Sequence, residues 1–184
     1  MTTLYDAALR NFRAAADVLE ALQSTRLDLV AEARGGLVGR PRLTLGGGYN
    51  DVTTAFGICL PTGRRAELLT AEQGAGVELR CAGADWLTLE GALANDSGAD
   101  LCHLEMQVSS DRSLIADVFL REFIADGSVR DSGHRECQLH PGVVSICKLA
   151  LPGIADDVTG RRVIIHLRQP VARQTLDRLA VTLT

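Results

Sequence analysis

Arg162-Val163-Ile164-Ile165-His166-Leu167-Arg168 places Val163, Ile165 and Leu167 on one side of an extended chain and Ile164, His166 and Arg168 on the other. Successive side chains of a strand point to opposite faces, so this pattern predicts a strand with one buried and one wet face. The C-terminal stretch reads the same way. Leu176, Leu179, Val181 and Leu183 are apolar against Asp177, Arg178, Thr182 and Thr184. Working backwards, further strands are expected at residues 42–45, 53–60, 66–69, 77–81, 86–93, 101–109, 115–124, 133–139 and 144–151. Pro61-Thr62-Gly63, Asn95-Asp96-Ser97-Gly98, Asp126-Gly127 and Pro152-Gly153 supply the turns between them. No helix-length periodic segment separates these strands, which argues against an α/β fold. The expected fold is mainly β, a two-sheet antiparallel β-sandwich of jelly-roll type.

A different period rules the N-terminus. Tyr5, Ala8, Phe12, Ala15, Leu19 and Leu22, then Leu29 and Ala33, recur at steps of three and four, with Arg26 as the break. That is the seam of an α-helix that packs on partner helices. Thr3 is its expected N-cap, and Gly35-Gly36 its stop. The domain reading is therefore a helix for oligomerisation or attachment over residues 1–35 and a β-sandwich over 36–184. Tyr5, Phe12, Leu19, Leu22 and Leu29 are the expected contact residues.

Composition narrows the function. A net charge of −4 and a single Lys among 19 basic residues give no electrostatic footprint for nucleic acid. No apolar run is long enough for a membrane span, and no signal peptide is visible, so cytoplasmic synthesis is expected. The five Cys form no CxxC pair and read as buried reduced thiols, without a metal or other cofactor. The nucleophile-elbow, phosphate-loop, zinc-helix and dinucleotide motifs are all missing, so no catalytic residue is assigned and the chain reads as non-enzymatic.

Sugar-binding surfaces offer aromatic platforms to the apolar faces of pyranose rings. Aromatics are only 4% of this chain. Tyr49, in a loop with Asn50 and Asp51, is the leading ligand contact. Trp86 reads either as core or as an exposed platform. Asp111, Arg112, Asp131 and His134 are further loop candidates, and Phe119 and Phe123 read as core.

Leu114–Ile124 with Asp126-Gly127, the strands around Gln138–Gly142 and Lys148–Pro152, and the terminal Thr175–Val181 resemble the closing half of a jelly-roll carbohydrate-binding module. The layout of helix, Gly/Pro break and sandwich also resembles head-spike proteins of gene transfer agents of alphaproteobacteria. These are phage-like particles that adhere to capsular polysaccharide. The resemblance implies an adhesion module that binds cell-surface polysaccharide, assembles as a homo-oligomer or on a protein shell, and leaves the cell in a released particle. A purely structural particle protein and a β-sandwich carbohydrate-active enzyme are the alternatives.

Overall fold

Fold class is decided by how the alternating strands pair. The computed structural model describes residues 4–72, 74–94 and 98–184. The Thr3 cap and the Asn95-Asp96-Ser97 turn lie outside the described residues. The chain begins with helix α1 (Leu4–Ser24), followed by strand β1 (Arg26–Asp28) and helix α2 (Leu29–Gly35). Then come β2 (Arg42–Leu45), β3 (Gly48–Asp51), β4 (Phe56–Leu60), β5 (Ala66–Thr70), β6 (Val77–Arg80) and β7 (Trp86–Leu93). The last six are β8 (Leu101–Ser109), β9 (Leu114–Ile124), β10 (Val129–Leu139), β11 (Ser145–Ala150), β12 (Val158–Arg168) and β13 (Arg173–Leu183).

Two antiparallel sheets result. The first has the order β11-β8-β13-β6-β5-β2, with β1 also paired to β13; the second runs β10-β9-β12-β7-β4-β3. Between them lies one core that includes Val163, Ile165 and Leu167 of β12 and Leu104, Met106, Val181 and Leu183 from the facing sheet. The odd three-residue step from Leu176 to Leu179 is a β-bulge. Leu176 pairs with Val108 and Arg178 with Gln107, leaving Asp177 unpaired in the ladder.

The helix expected over 1–35 ends at Ser24. Thr25 Oγ1 donates to the Leu183 carbonyl at 2.8 Å, and Arg26 pairs with Thr182 as the first residue of β1. The Arg26 guanidinium meets both Glu105 carboxylate oxygens, at 2.7 and 3.2 Å. Asp28 then caps α2 by accepting from the Val30 and Ala31 amides, each at 3.0 Å. Leu29 and Ala33, read as continuing the seam, are instead fully buried in the sandwich core. Leu29 packs onto Gly91, where an added Cβ would lie 2.9 Å from a Leu29 methyl. A straight helix would have left Leu29, Val30 and Ala33 in water, so core burial wins over helical continuity.

Helix α1 itself buries no residue. Tyr5, Phe12 and Leu19 are 75%, 75% and 67% exposed. Among the described residues no helix is long and apolar enough to cross a membrane.

Candidate functional site

Because Val163, Ile165 and Leu167 face the core, Arg162, Ile164, His166 and Arg168 line the outer face of the second sheet. Register then fixes their neighbours. On one flank β7 sets Ala92, Glu90, Thr88 and Trp86 beside them in that order. On the other, β9 sets Arg121, Phe119, Asp117 and Ile115. Farther out, β10 places Asp131 beside Arg121 and Glu136 beside Asp117. At the opposite edge β4 contributes Gly57 and Cys59, and β3 contributes Asp51 and Tyr49. Six strands at a spacing of about 4.8 Å make a face about 24 Å across.

Four ring-bearing residues cross this face diagonally, one per strand: Trp86 on β7, His166 on β12, Phe119 on β9 and His134 on β10. Trp86 and His166 stack with centroids 5.6 Å apart, and Phe119 and His134 with centroids 4.6 Å apart. His166 and Phe119 are diagonal neighbours on adjacent strands, about 7–8 Å apart, which gives a track about 18 Å long. Phe119 was expected in the core. It is buried, but on the outer face, where the His134 ring covers it. Trp86 likewise belongs to this face and is half-buried there.

Tyr49 completes the surface from the far edge. Its turn-forming neighbours suggest a loop, but Tyr49 lies in β3, with its ring laid over Gly57. The Arg162 guanidinium sits 4.3 Å from the Tyr49 ring centre and 5.3 Å from that of Phe123. Phe123, also expected in the core, is half-buried beside that guanidinium. Burial pushes the Tyr49 hydroxyl up to about 12, Arg162 opposes the shift, and the hydrogen bond to Asp51 adds to it. Burial also holds His166 below the usual imidazole range, which keeps it neutral at pH 7.

Each arginine of the face is paired. Arg121 grips Asp131 through two bonds of 2.8 and 2.7 Å. Arg168 bonds Asp117 at 2.6 Å and Glu136 at 3.0 Å, and Arg162 bonds Glu90 at 3.2 Å. Thr88 donates to the other Glu90 oxygen at 2.8 Å. Asp51, Glu90, Asp117, Asp131 and Glu136 outnumber Arg121, Arg162 and Arg168, so the face is net acidic. Among the described residues no group of three His, Cys, Asp or Glu could hold a metal ion.

Of the candidates named from sequence, Tyr49, Asp51, Trp86, Asp131 and His134 meet on this one face. Arg112 donates to the Gln169 carbonyl at 2.9 Å and lines a pit of about 270 Å³ with Ile115 and Arg168, at the rim. Asp111 is an exposed neighbour in the same loop. Asn50 does not join them. It donates to the Gly46 and Gly48 carbonyls at 2.8 and 2.9 Å and accepts from the Gly46 amide at 3.0 Å, so it fixes the triple-glycine turn. Sequence alone does not mark Arg162, His166, Glu90, Thr88, Arg121, Asp117, Glu136 and Arg168 as members of this face. The outward parity of Arg162, His166 and Arg168 was visible in the strand pattern, but which neighbours they meet depends on register.

No family model matches this sequence, and no curated protein matches it. Among solved structures the fold is similar to the CBM22-2 xylan-binding domain of Paenibacillus barcinonensis Xyn10C. The TM-score is 0.50 at 8% identity, over 86% of this chain and 98% of that one. The chain has the β-sandwich fold of that module. The C-terminal family 22 carbohydrate-binding module of Clostridium thermocellum Xyn10B gives 0.44 at 19% identity, over 64% and 82%. The family 11 module of the cellulase Lic26A-Cel5E from the same organism gives 0.43 at 11%, over 76% and 97%.

Proposed function

We propose that the outer face of the six-stranded sheet binds an uncharged polysaccharide chain without catalysis, and that α1 gathers copies of this head so that weak sites act together. The diagonal of rings from Trp86 to His134 carries the reading. Rings stack on the apolar faces of sugars, and the paired Arg and carboxylate groups beside them offer donors and acceptors to hydroxyls. Paired cations and a surplus of carboxylates disfavour a phosphate-bearing or strongly acidic polymer.

The division of labour supported by the contacts is α1 as stalk and residues from Arg26 onward as head. On α1 the charged residues Asp6, Arg10, Arg13, Asp17 and Glu20 fall within a sector of about 80° at about 100° per residue. The opposite side carries Leu4, Tyr5, Phe12, Val18 and Leu19, all more than half exposed. An uncharged face this broad suits a bundle of three or more copies, because a two-helix seam is narrower and is flanked by charge. Avidity from such a bundle fits an adhesive spike on a phage-like particle, with a neutral capsular polysaccharide as ligand. The exposed α1 alone would also suit an attachment piece that contacts only protein.

Affinity electrophoresis separates these readings. Xylan, mixed-linkage β-glucan and a neutral capsular polysaccharide are the test ligands, with alginate as the acidic control. Retardation by at least one neutral polymer, lost in Trp86→Ala and kept in Ile146→Ala on the other sheet, is expected. Unretarded migration in all of them would overturn sugar binding and leave the protein-contact reading.

A further inference from the structure

Strands β10 and β11 are the edge strands of different sheets, joined by residues 140–144. Two contacts fix how they pass each other. Ser145 Oγ donates to the Gln138 carbonyl at 3.4 Å, and a Cβ added to Gly133 would lie 3.9 Å from both the Leu149 Cβ and the Ala150 carbonyl. Position 138 therefore faces 145, and 133 faces 149–150. The same antiparallel offset sets Cys137 against residue 146, one position from Cys147.

The side chains point the right way. Cys137 pairs with core-facing Ala116 and Cys147 with core-facing Leu104, so both thiols turn into the gap between the sheets. Cys137 lies close enough to the Cys147 thiol to help hold it protonated. A cavity of about 440 Å³, lined in part by Arg135, Cys137, Cys147 and Lys148, opens beside them. Both are free thiols in this structure.

We propose that Cys137 and Cys147 are a disulfide site, closed by exchange with a small anionic disulfide such as oxidised glutathione, and that the bond staples the two sheets at their open edge. Cys137 and Cys147 lie within one position of facing each other where the two edge strands touch, and a disulfide requires a Cα separation of no more than about 6.8 Å. Arg135 and Lys148, which line the cavity, favour an anionic oxidant there. Cys147 is pushed up to about 12, chiefly by burial, so attack begins at half-buried Cys137. Its thiolate attacks one sulfur of the oxidant, releasing one thiolate and forming a mixed disulfide. Cys147 then loses its proton to solvent and attacks the Cys137 sulfur, expelling the second thiolate. One oxidant disulfide is reduced to two thiols as one protein disulfide forms. The staple would fix β10, which carries Asp131, His134 and Glu136 of the outer face.

The test treats the full chain with oxidised glutathione, alkylates it in denaturant and digests it with trypsin. Both cysteines fall in the single tryptic peptide 136–148, between Arg135 and Lys148. This peptide should lose two hydrogens and take up no alkylating reagent, while Cys81 and Cys102 are alkylated. The oxidised protein should melt about 5–10 °C higher, an increment removed by reductant. Two alkyl groups on the peptide would overturn the proposal. So would a persistent glutathione adduct on Cys137, or a bond between Cys147 and Cys102. The mass readout uses the natural sequence, so it does not depend on the folding of any variant.

Discussion

Gly57→Ala tests the geometry of the outer face without any sugar. A Cβ at this position would lie 2.1 Å from Tyr49 Oη, 2.3 Å from Cζ and 2.5 Å from Cε2. Ordinary contact begins near 3.4 Å, so the hydroxyl end of the ring must retreat by about 1.3 Å. Gly57 lies within β4, where Ala is better tolerated than Gly by about 0.5–1 kcal/mol. That gain offsets the loss of the Arg162 stack, worth about 0.5–1 kcal/mol at an exposed site. Melting should therefore move by no more than a few degrees, while the Tyr49 environment changes.

The chain has two tyrosines, so a Tyr5→Phe background leaves Tyr49 alone to be followed by its ultraviolet absorbance. In that background Tyr49 should ionise near 12, above the ordinary value of 10.0. A folded-state value above the unfolded one gives stability that is complete below pH 10 and is lost as pH rises through the folded value. With Gly57→Ala the ring leaves its partly desolvated seat against the sheet and the Asp51 hydrogen bond, so ionisation should fall toward 10 and the alkaline loss of stability should shrink. Affinity for any polysaccharide that binds the face should weaken by about tenfold, the worth of one good ring contact. Tyr49 ionising near 10 in the parent, or an unchanged titration in the variant, would refute the placement of the ring.

Other expectations follow from the same contacts. Sedimentation or light scattering should report three or more copies, and Leu19→Asp with Leu22→Asp should give monomers whose head still melts as before; a monomeric or dimeric parent removes the bundle. Leu29→Ala should cost about 2–5 kcal/mol and lower the calorimetric melting temperature by about 5–15 °C, because Leu29 is a core residue, whereas Phe12→Ala should leave the melting of that monomeric double variant unchanged. Burial opposes ionisation of Glu78 and Glu122, but Arg173 and Arg80 on one, and Arg161 and Arg130 on the other, outweigh it and hold both carboxyls below their ordinary range. Their contribution is present above the unfolded value of 4.5 and is lost as pH falls through the folded values. In Glu122→Gln, urea titrations should show lower stability at pH 7 and a flatter decline below pH 4.5.

Strand existence was legible because alternation is a local property. β2, β7 and β8 lie where the alternation of Arg42–Leu45, Trp86–Leu93 and Leu101–Ser109 puts them. The helix was over-extended for a reason the period cannot reveal. Leu29 and Ala33 continue the three-four spacing of α1, but they do so on α2, a separate short helix that faces the sandwich. Arg26 marked the break, and only the partner strand, with Thr182 and Glu105, gives that break its cause. β3 was missed because Gly48-Tyr49-Asn50-Asp51 has turn-forming composition; its pairing with β4 is what makes it a strand.

The site was less legible than the fold because composition counts residues while a site depends on their register. Aromatics at 4% of the chain argue against a stacking surface only if they are scattered. Here Trp86 and Tyr49 share one face with the imidazoles of His166 and His134, and Phe119 lies beneath His134 on that same face. The apolar setting of Phe119 pointed to the core. Yet a strand such as β9, whose outer face is covered by His134 and Arg121, buries residues of both parities. Trp86 faces opposite to Leu87 and Leu89, and this parity already set it on the outer side once those two were assigned to the core. An aromatic residue on a strand is therefore better assigned by the parity of its aliphatic neighbours than by its own hydrophobicity. By that rule His166, between Ile165 and Leu167, was the outward residue from which the rest of the track could have been sought.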